Sequence, residues 1–276
     1  MFKSDNLGNR MKKNYESRTK YLLPLRTYTV IRIDGKAFHT YTKGLERPFD
    51  KGFVEDMNHT TQYLCQNIQG CKFGFVQSDE ISLVLSDFET HETQAWFDGE
   101  VQKIVSISAS YATSFFNYIR LQRYFYDNKV GEHFTEPLDG ETYEIQLGNV
   151  INYFPLNNKL AHFDSRVFTI PSKTEVENYL IWRQQDCTRN SISSVAQSLY
   201  STKELHEKNQ SDMQEMIFQK GQNWNSYDEG LKRGRMCIKV SEELSLGNFR
   251  TKWVIDSAPI FTKERELLSS FIPTLD

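Results

Sequence analysis

Two short stretches place acids where a β-sheet could bring them together. RIDGKAFH (Arg32–His39) carries a β-branched run into Asp34-Gly35, and GFVQSDEISLVL (Gly74–Leu85) sets Ser78-Asp79-Glu80 between two apolar runs. Taken singly, an Asp-Glu at a hairpin is a turn residue beside a solvated charge, and Asp-Gly after a strand is a turn. Taken together they suggest chemistry, because two carboxylates side by side repel and one protonates unless a cation joins them. Oxygen ligands with few histidines nearby favour Mg²⁺ over zinc. Mg²⁺ held by two carboxylates completes its shell with water and phosphate oxygens. Two such ions can clamp an in-line phosphoryl displacement.

The loop after the first acid fits that chemistry. Gly35 permits close backbone approach to a ligand, and exposed N–H groups with Lys36 and His39 can cradle phosphates. Lys43 and Arg47 add cations before Asp50. The loop lacks the Walker spacing, and a lone histidine is more often a satisfied surface residue than a phosphate ligand.

Several elements must position these groups. Thr27–Ile33 reads as a strand. Asp50 is an N-cap, and Phe53, Met57, Thr60, Leu64 and Ile68 recur at helical spacing until Gly70. Strands at about 72–77 and 81–86 flank the acidic turn. A long helix follows with Trp96, Val101, Ile104, Val105, Ser108, Ala112 and Phe115 inward, and its run of small residues suggests close packing on a sheet. Residues at about 126–160 read as an inserted hairpin. Phe163–Ile170 reads as a strand, and Ser172-Lys173-Thr174-Glu175 as a capping box. Helices at about 173–199, 203–208 and 212–220 and a strand at 236–241 follow. The order β-α-β-β-α-β is the split βαβ, ferredoxin-like arrangement of the α+β class, an antiparallel sheet with helices on one face plus C-terminal helices and a strand. Its first and third strands are central neighbours, so Asp34 and Asp79 meet at one end of the sheet. On the helix near 173–199, Arg183, Asp186 and Asn190 fall at i, i+3 and i+7 and share one side. That side is either functional or a solvated polar face.

Composition narrows the classes. With 276 residues, 38% apolar and 13% aromatic, the chain can build a real core. We expect one domain over 1–276, with its core at about 21–171 and a helical extension at about 172–276. A net charge of −3 excludes a polycation, so any nucleic-acid contact must be local. The basic N-terminal segment is either a solvated amphipathic helix or a phosphate-contacting arm. Four cysteines without CxxC pairing argue against zinc and for reduced thiols. No apolar signal core and no run of about 18 apolar residues occurs, as expected of a soluble cytoplasmic protein.

The ordered blocks RIDGKAFHTYTKGLERPFD, QSDEISLVL, QKIVSISASYAT, FDSRVF and WRQQDC, with LGNRMKKNYE and KGQNWN, resemble the tRNA-histidine guanylyltransferase superfamily. The resemblance spans nearly the whole chain outside about 126–160. It implies a polymerase-palm fold that adds nucleotides to the 5′ end of tRNA, in the reverse, 3′-to-5′ direction, with ATP and GTP as substrates and as a homotetramer. It implies that Asp34 and Asp79 bridge two Mg²⁺ ions, with the Gly35 carbonyl a further ligand and Glu80 supporting the metal site. It also implies that Lys36, Ala37, Phe38 and His39 hold a triphosphate. Arg47, Ser78, Lys103 and Arg166 match positions that handle phosphate or nucleotide, and Arg183, Asp186 and Asn190 match a tRNA or nucleotide face.

One departure bears on the substrate. Members that add guanosine to histidine tRNA carry His-Ile-Asn-Asn where Thr188-Arg189-Asn190-Ser191 stands here. That resembles the guanylyltransferase-like branch, whose implied role is templated repair of 5′-truncated tRNA. Guanosine addition to histidine tRNA, a nucleotidyl cyclase, and an RNA-binding protein without turnover are the alternatives.

Overall fold

The computed structural model describes residues 6–127, 160–245 and 248–274. Strands β1 (Tyr28–Gly35), β2 (Cys71–Gln77), β3 (Glu80–Leu85), β4 (Phe163–Ile170), β5 (Arg235–Ser245) and β6 (Asn248–Ser257) form one antiparallel sheet, ordered β4-β1-β3-β2-β5-β6. The order of the first four is that of the split βαβ unit. Sequence patterning shows one terminal strand at 236–241, whereas β5 runs on to Ser245 and pairs with β6. Residues 248–252 of β6 are exposed, so they carry no alternating apolar signal by which to recognise the strand.

Alternate residues of the central strands supply two cores. Ile31, Ile33, Ile81 and Leu83 meet α3 (Lys51–Asn67) and α4 (Val101–Asp127) on one face. Tyr28, Val30, Phe75 and Val84 meet α5 (Lys173–Leu199) and α8 (Arg265–Ser270) on the other. The C-terminal extension thus covers the second sheet face. Asp50 caps α3, its side chain accepting from the Phe53 N–H at 2.7 Å, and Gly70 beyond the helix end adopts φ +79°. Ser172 caps α5 by accepting from the Glu175 N–H, while the Glu175 carboxylate accepts from Asn178.

In α4, Ile104, Ser108, Ala112 and Phe116 are the buried positions among the described side chains. Phe115, expected inward, is half-buried and stacks on Tyr63 at 4.1 Å, because a strict four-residue spacing carries the stripe to Phe116. Trp96 lies in a short 3₁₀ turn before the helix. Close packing on the sheet is made by Ser108, whose hydroxyl meets that of Ser165 at 2.7 Å. Buried Asp56 on α3 binds Arg120 and Arg123 of α4 at 2.8–2.9 Å and fixes the helix pair.

Residues 203–208 form turns rather than the expected helix; only Leu205 among them is buried, so no apolar stripe can stabilise one. Helices α1 (Asn6–Asn14), α2 (Phe38–Tyr41), α6 (Gln210–Gln219) and α7 (Glu229–Arg233) complete the described residues, with short 3₁₀ turns. The expected hairpin at about 126–160 lies outside them, except that α4 extends through Asp127.

Candidate active site

The strand register brings the two acids together. Asp34 is the penultimate residue of β1, opposite Glu80 on β3 and Asp164 on β4. Asp79 occupies the β2–β3 turn, and the Gly35 N–H donates to its carbonyl at 3.1 Å. Burial raises the pKa of Asp79, opposed by the Ser78 hydroxyl that donates to it at 2.9 Å, while the charges of Asp34 and Glu80 raise it further. This is the repulsion that a bound cation relieves. Ser78 holds φ +44°, a left-handed conformation that costs a non-glycine residue about 1–2 kcal/mol. The neighbouring contacts must hold the turn in place.

Glu80 takes a different part from its neighbour. It is buried, and Arg183 donates to both its oxygens at 2.7 and 3.0 Å. Arg32 lies 2.8 Å from Oε2, and Gln77 donates to Oε1 at 3.1 Å. With both oxygens occupied, Glu80 joins α5 to the acidic turn and supports the site indirectly. Arg183, read from sequence as part of a substrate face, is only 3% exposed and also binds Asp186 at 2.6 Å. Helical spacing placed it on the correct side of α5 but did not reveal its depth.

The loop after Asp34 is anchored by Phe38, buried among Tyr41, Phe53, Phe116 and Phe163. A Cβ on Gly35 would come within 2.3 Å of the Phe38 ring. The loop's own aromatic therefore requires the glycine, a packing reason that its sequence position did not suggest. The Lys36 N–H donates to the His162 carbonyl at 2.8 Å, which leaves its side chain, exposed, as the free group. Ala37 sits at φ +55° and starts α2. The N–H groups of Phe38 and His39 in that first turn have no acceptor among the described residues.

A cavity of about 560 Å³ opens beside the acids, lined by Asp34, Asp79, Ala37, His39, Arg47 and Asn190 among others. A second hollow of about 350 Å³ reaches Arg32, Glu80, Asp186 and Ser193 and shares Asp34, Gln77, Ser78, Asp79, Asn190, Ser194 and Gln197 with the first. The two hollows adjoin, and the acid pair lies in the wall they share. Gln77 and Arg235 line the first, both buried. Gln77 Oε1 and Arg235 Nη2 have no hydrogen-bond partner among the described residues, and such atoms call for a ligand or water. Burial pushes the Arg235 pKa down to about 10 and the Cys187 thiol up to about 12. Cys187, also in the wall, is therefore a protonated thiol at neutral pH and no nucleophile.

Asp186 and Asn190 join the site as the helical spacing predicts, and the same stripe runs on to Ser194 and Gln197, which repeat that spacing and could have been read from it. Gln77, Arg32 and Arg235 carry no such signal. Arg166 stands on β4 opposite Arg32, 4.0 Å from Asp34 Oδ2. Lys103 is not brought to the acids. It pairs with Glu100 at 3.3 Å near the start of α4, whereas the acids lie by the later turns, where Thr113 and Asn117 bond Phe163 and Ala161.

Asp34 and Asp79 fit Mg²⁺ through their crowded carboxylates, and of the unpartnered atoms nearby the Arg235 Nη2 donor suits a phosphate oxygen, whereas Gln77 Oε1 can only accept from a ligand hydroxyl, amine or water. No group of three or more His, Cys, Asp or Glu side chains suited to a metal occurs among the described residues, so water and substrate phosphates would complete the shell. No helix among the described residues is long and apolar enough to cross a membrane.

Comparison with known proteins agrees with this arrangement. The sequence profile described as tRNAHis guanylyltransferase matches residues 8–171. The chain is 31% identical over 221 residues to an uncharacterized protein of Acanthamoeba polyphaga mimivirus, covering 76% of this chain and 69% of that one. It is 27% identical over 240 residues to the tRNA(His) guanylyltransferase of Saccharomyces cerevisiae, covering 82% and 87%. Among solved structures, a bacterial tRNA(His) guanylyltransferase-like protein in complex with ATP aligns at a TM-score of 0.75 and 37% identity, covering 97% of this chain and 99% of that one. The same kind of protein in complex with GTP aligns at 0.72. Paired acids at the end of a palm-like sheet and a profile match across that sheet's first four strands place this chain in the tRNAHis guanylyltransferase family of nucleotidyltransferases.

Proposed function

We propose that the chain, as one catalytic unit over 1–276 acting as a cytoplasmic homotetramer, adds nucleotides in the 3′-to-5′ direction to the 5′ end of truncated tRNA, under the direction of the opposing strand. The observation that carries this is the acid pair in the shared wall of two adjoining hollows. A reverse polymerase must hold both a nucleoside triphosphate and an RNA 5′ end at one centre. First, a 5′-phosphate oxygen of the RNA attacks the α-phosphorus of ATP and pyrophosphate leaves. Then the 3′-hydroxyl of an incoming nucleotide attacks the RNA's 5′-phosphorus, losing its proton, and AMP leaves; the new end keeps the incoming triphosphate.

Mg²⁺ ions held by Asp34, Asp79 and the Gly35 carbonyl would neutralise charge on the reacting phosphates. His39 and Arg47, with the loop N–H groups, hold the triphosphate in the larger cavity, and the exposed Lys36 side chain reaches it from outside the lining. Arg166 stands beside Asp34 toward the RNA. Little covalent chemistry falls to the protein, whose work is positioning.

Repair, rather than guanosine addition to histidine tRNA, is favoured by the segment after Cys187. Asn190 reaches the cavity, but Ser191 is buried and accepts from Trp224 Nε1 at 3.1 Å, and Arg189 binds Asp186 at 2.9 Å. No histidine stands there to read a tRNA.

The test incubates the protein with Mg²⁺, ATP, GTP and a 5′-monophosphorylated tRNA lacking its first nucleotide, with Asp79→Ala in parallel. Restoration of the nucleotide complementary to the 3′ strand, absent in the variant, is the expected result. A cyclic nucleotide made from ATP or GTP alone would make the protein a cyclase, and RNA binding without turnover would make it a binding protein.

A further inference from the structure

Next to the Arg183–Glu80 ion pair lies an indole that the proposed chemistry does not use. Trp182 on α5 is 47% exposed, yet its indole is held on two sides. The Arg183 guanidinium carbon sits 4.3 Å from the ring centroid, and Tyr179 meets the ring edge-on at 5.9 Å. Both supports are themselves fixed. Arg183 is bound to Glu80 and Asp186, and the Tyr179 hydroxyl lies 3.0 Å from Ser82 on β3, with Phe168 of β4 against its ring at 5.5 Å.

From Asp34 the same sheet face continues along β4. Arg166 and Phe168 pair with Arg32 and Val30 in register. The Arg166 side chain is 57% exposed and meets Asp34 and Asp164 only at 4.0 and 3.7 Å, beyond hydrogen-bond length. A rigid, half-exposed indole and a loosely held guanidinium therefore stand on the face that carries Asp34. An immobilised aromatic loses little entropy on binding, and every base has a face to stack on it.

We propose that Trp182 is a stacking platform for the 5′-terminal base of the RNA substrate, with Arg166 contacting the adjacent phosphate. The proposal rests on the RNA-end chemistry above and adds the subsite that receives the end. The ligand class is a 5′-phosphorylated RNA terminus. The platform tolerates any base, as templated addition to different ends requires.

The test titrates the full chain with a 5′-monophosphorylated hairpin RNA, and with the same hairpin abasic at its 5′-terminal nucleotide, both without nucleoside triphosphate. Intact RNA should quench the wild-type tryptophan emission, and Trp182→Phe should abolish that quench while retaining most of the affinity. Trp182→Ala should raise the Kd for the intact hairpin about 5- to 100-fold, the usual range for losing one base–aromatic stack. It should leave the Kd for the abasic hairpin unchanged, with melting temperature and nucleotide affinity as in the wild type.

Equal Kd values of wild type and Trp182→Ala for intact RNA would overturn the platform, as would an equal loss on the abasic hairpin. A drop in native mass in Trp182→Ala would also overturn it, by showing that a second copy of the chain covers the indole. If the wild type binds neither hairpin, the underlying RNA reading fails as well. If it binds RNA and extends it regardless of Trp182, only the platform fails.

Discussion

The two faces of β1 and β3 share a backbone and a register but have opposite uses. Toward α3 and α4 they present Ile31, Ile33, Ile81 and Leu83, all fully buried. Toward α5 they begin the same way, with Tyr28, Val30 and Val84, and then change to Ser82, Arg32, Glu80 and Asp34 as the strands approach the acidic turn. One face is a core along its whole length. The other is a core at one end and a charged centre at the other. The lesson is economy: the period of two lets one strand stabilise the sheet with alternate residues and carry chemistry with the rest.

Removing either acid should separate the two roles most sharply. Asp34→Ala or Asp79→Ala should lower nucleotide addition by about a thousandfold or more, since a metal clamp supplies several kcal/mol to phosphoryl transfer, while thermal melting stays close to wild type. On the same strand, Ile33→Ala should do the reverse, losing about 2–5 kcal/mol of stability with turnover per folded molecule preserved. Denaturant titration alongside single-turnover assays reads both. Near-normal turnover in either acid variant removes the metal assignment.

The next largest effect lies where the charged face is tied to α5. Arg183→Met leaves Glu80 buried with Arg32 as its remaining charged partner and should cost about 3 kcal/mol. Urea unfolding measures it, and a loss below about 1 kcal/mol would mean the ion-pair network is not what joins α5 to the turn.

A smaller, pH-dependent effect follows from the raised pKa of Asp79. The folded state holds this proton to higher pH than the unfolded chain does, so stability falls as pH rises through that interval. In EDTA, Asp79→Asn should melt higher than wild type at pH 7, and the gap should close as pH drops below the usual carboxylate range. A gap that persists or reverses in acid would show that Asp79 is not strained by its surroundings. Smallest of all, Ala37→Gly relieves the φ +55° backbone against the entropy glycine adds to the unfolded chain. Calorimetry should find a gain within about 1 kcal/mol.

The acid pair was legible before any coordinates because strand order alone decides it. Two apolar runs around Asp79, and a third ending at Asp34, can form a split βαβ sheet only with those residues at one end. The helix starting after Ser172 and the i, i+3, i+7 stripe on it were equally legible, since both signals are local. Arg183 was misjudged because periodicity gives a direction and no depth. Lys103 was carried by resemblance to a site that its own helix keeps distant. Gln77 and Arg235, with their unpartnered atoms, had no local signature at all: they meet because β2 and β5 are neighbours, and that pairing joins residues far apart in the chain.

By itself the sequence determined the βαββαβ order, the caps of α3 and α5, the two carboxylates and the loop that follows the first. These depend on patterns a few residues long, where propensity and burial periodicity act directly. Only the tertiary structure decided that Glu80 is consumed by arginines while Asp79 faces the cavity, that Gly35 makes room for Phe38, and that Trp182 is held rigid at the surface. Each of those outcomes depends on which distant side chain arrives next to a given atom, and close packing settles that only once the whole sheet and both helical layers are in place.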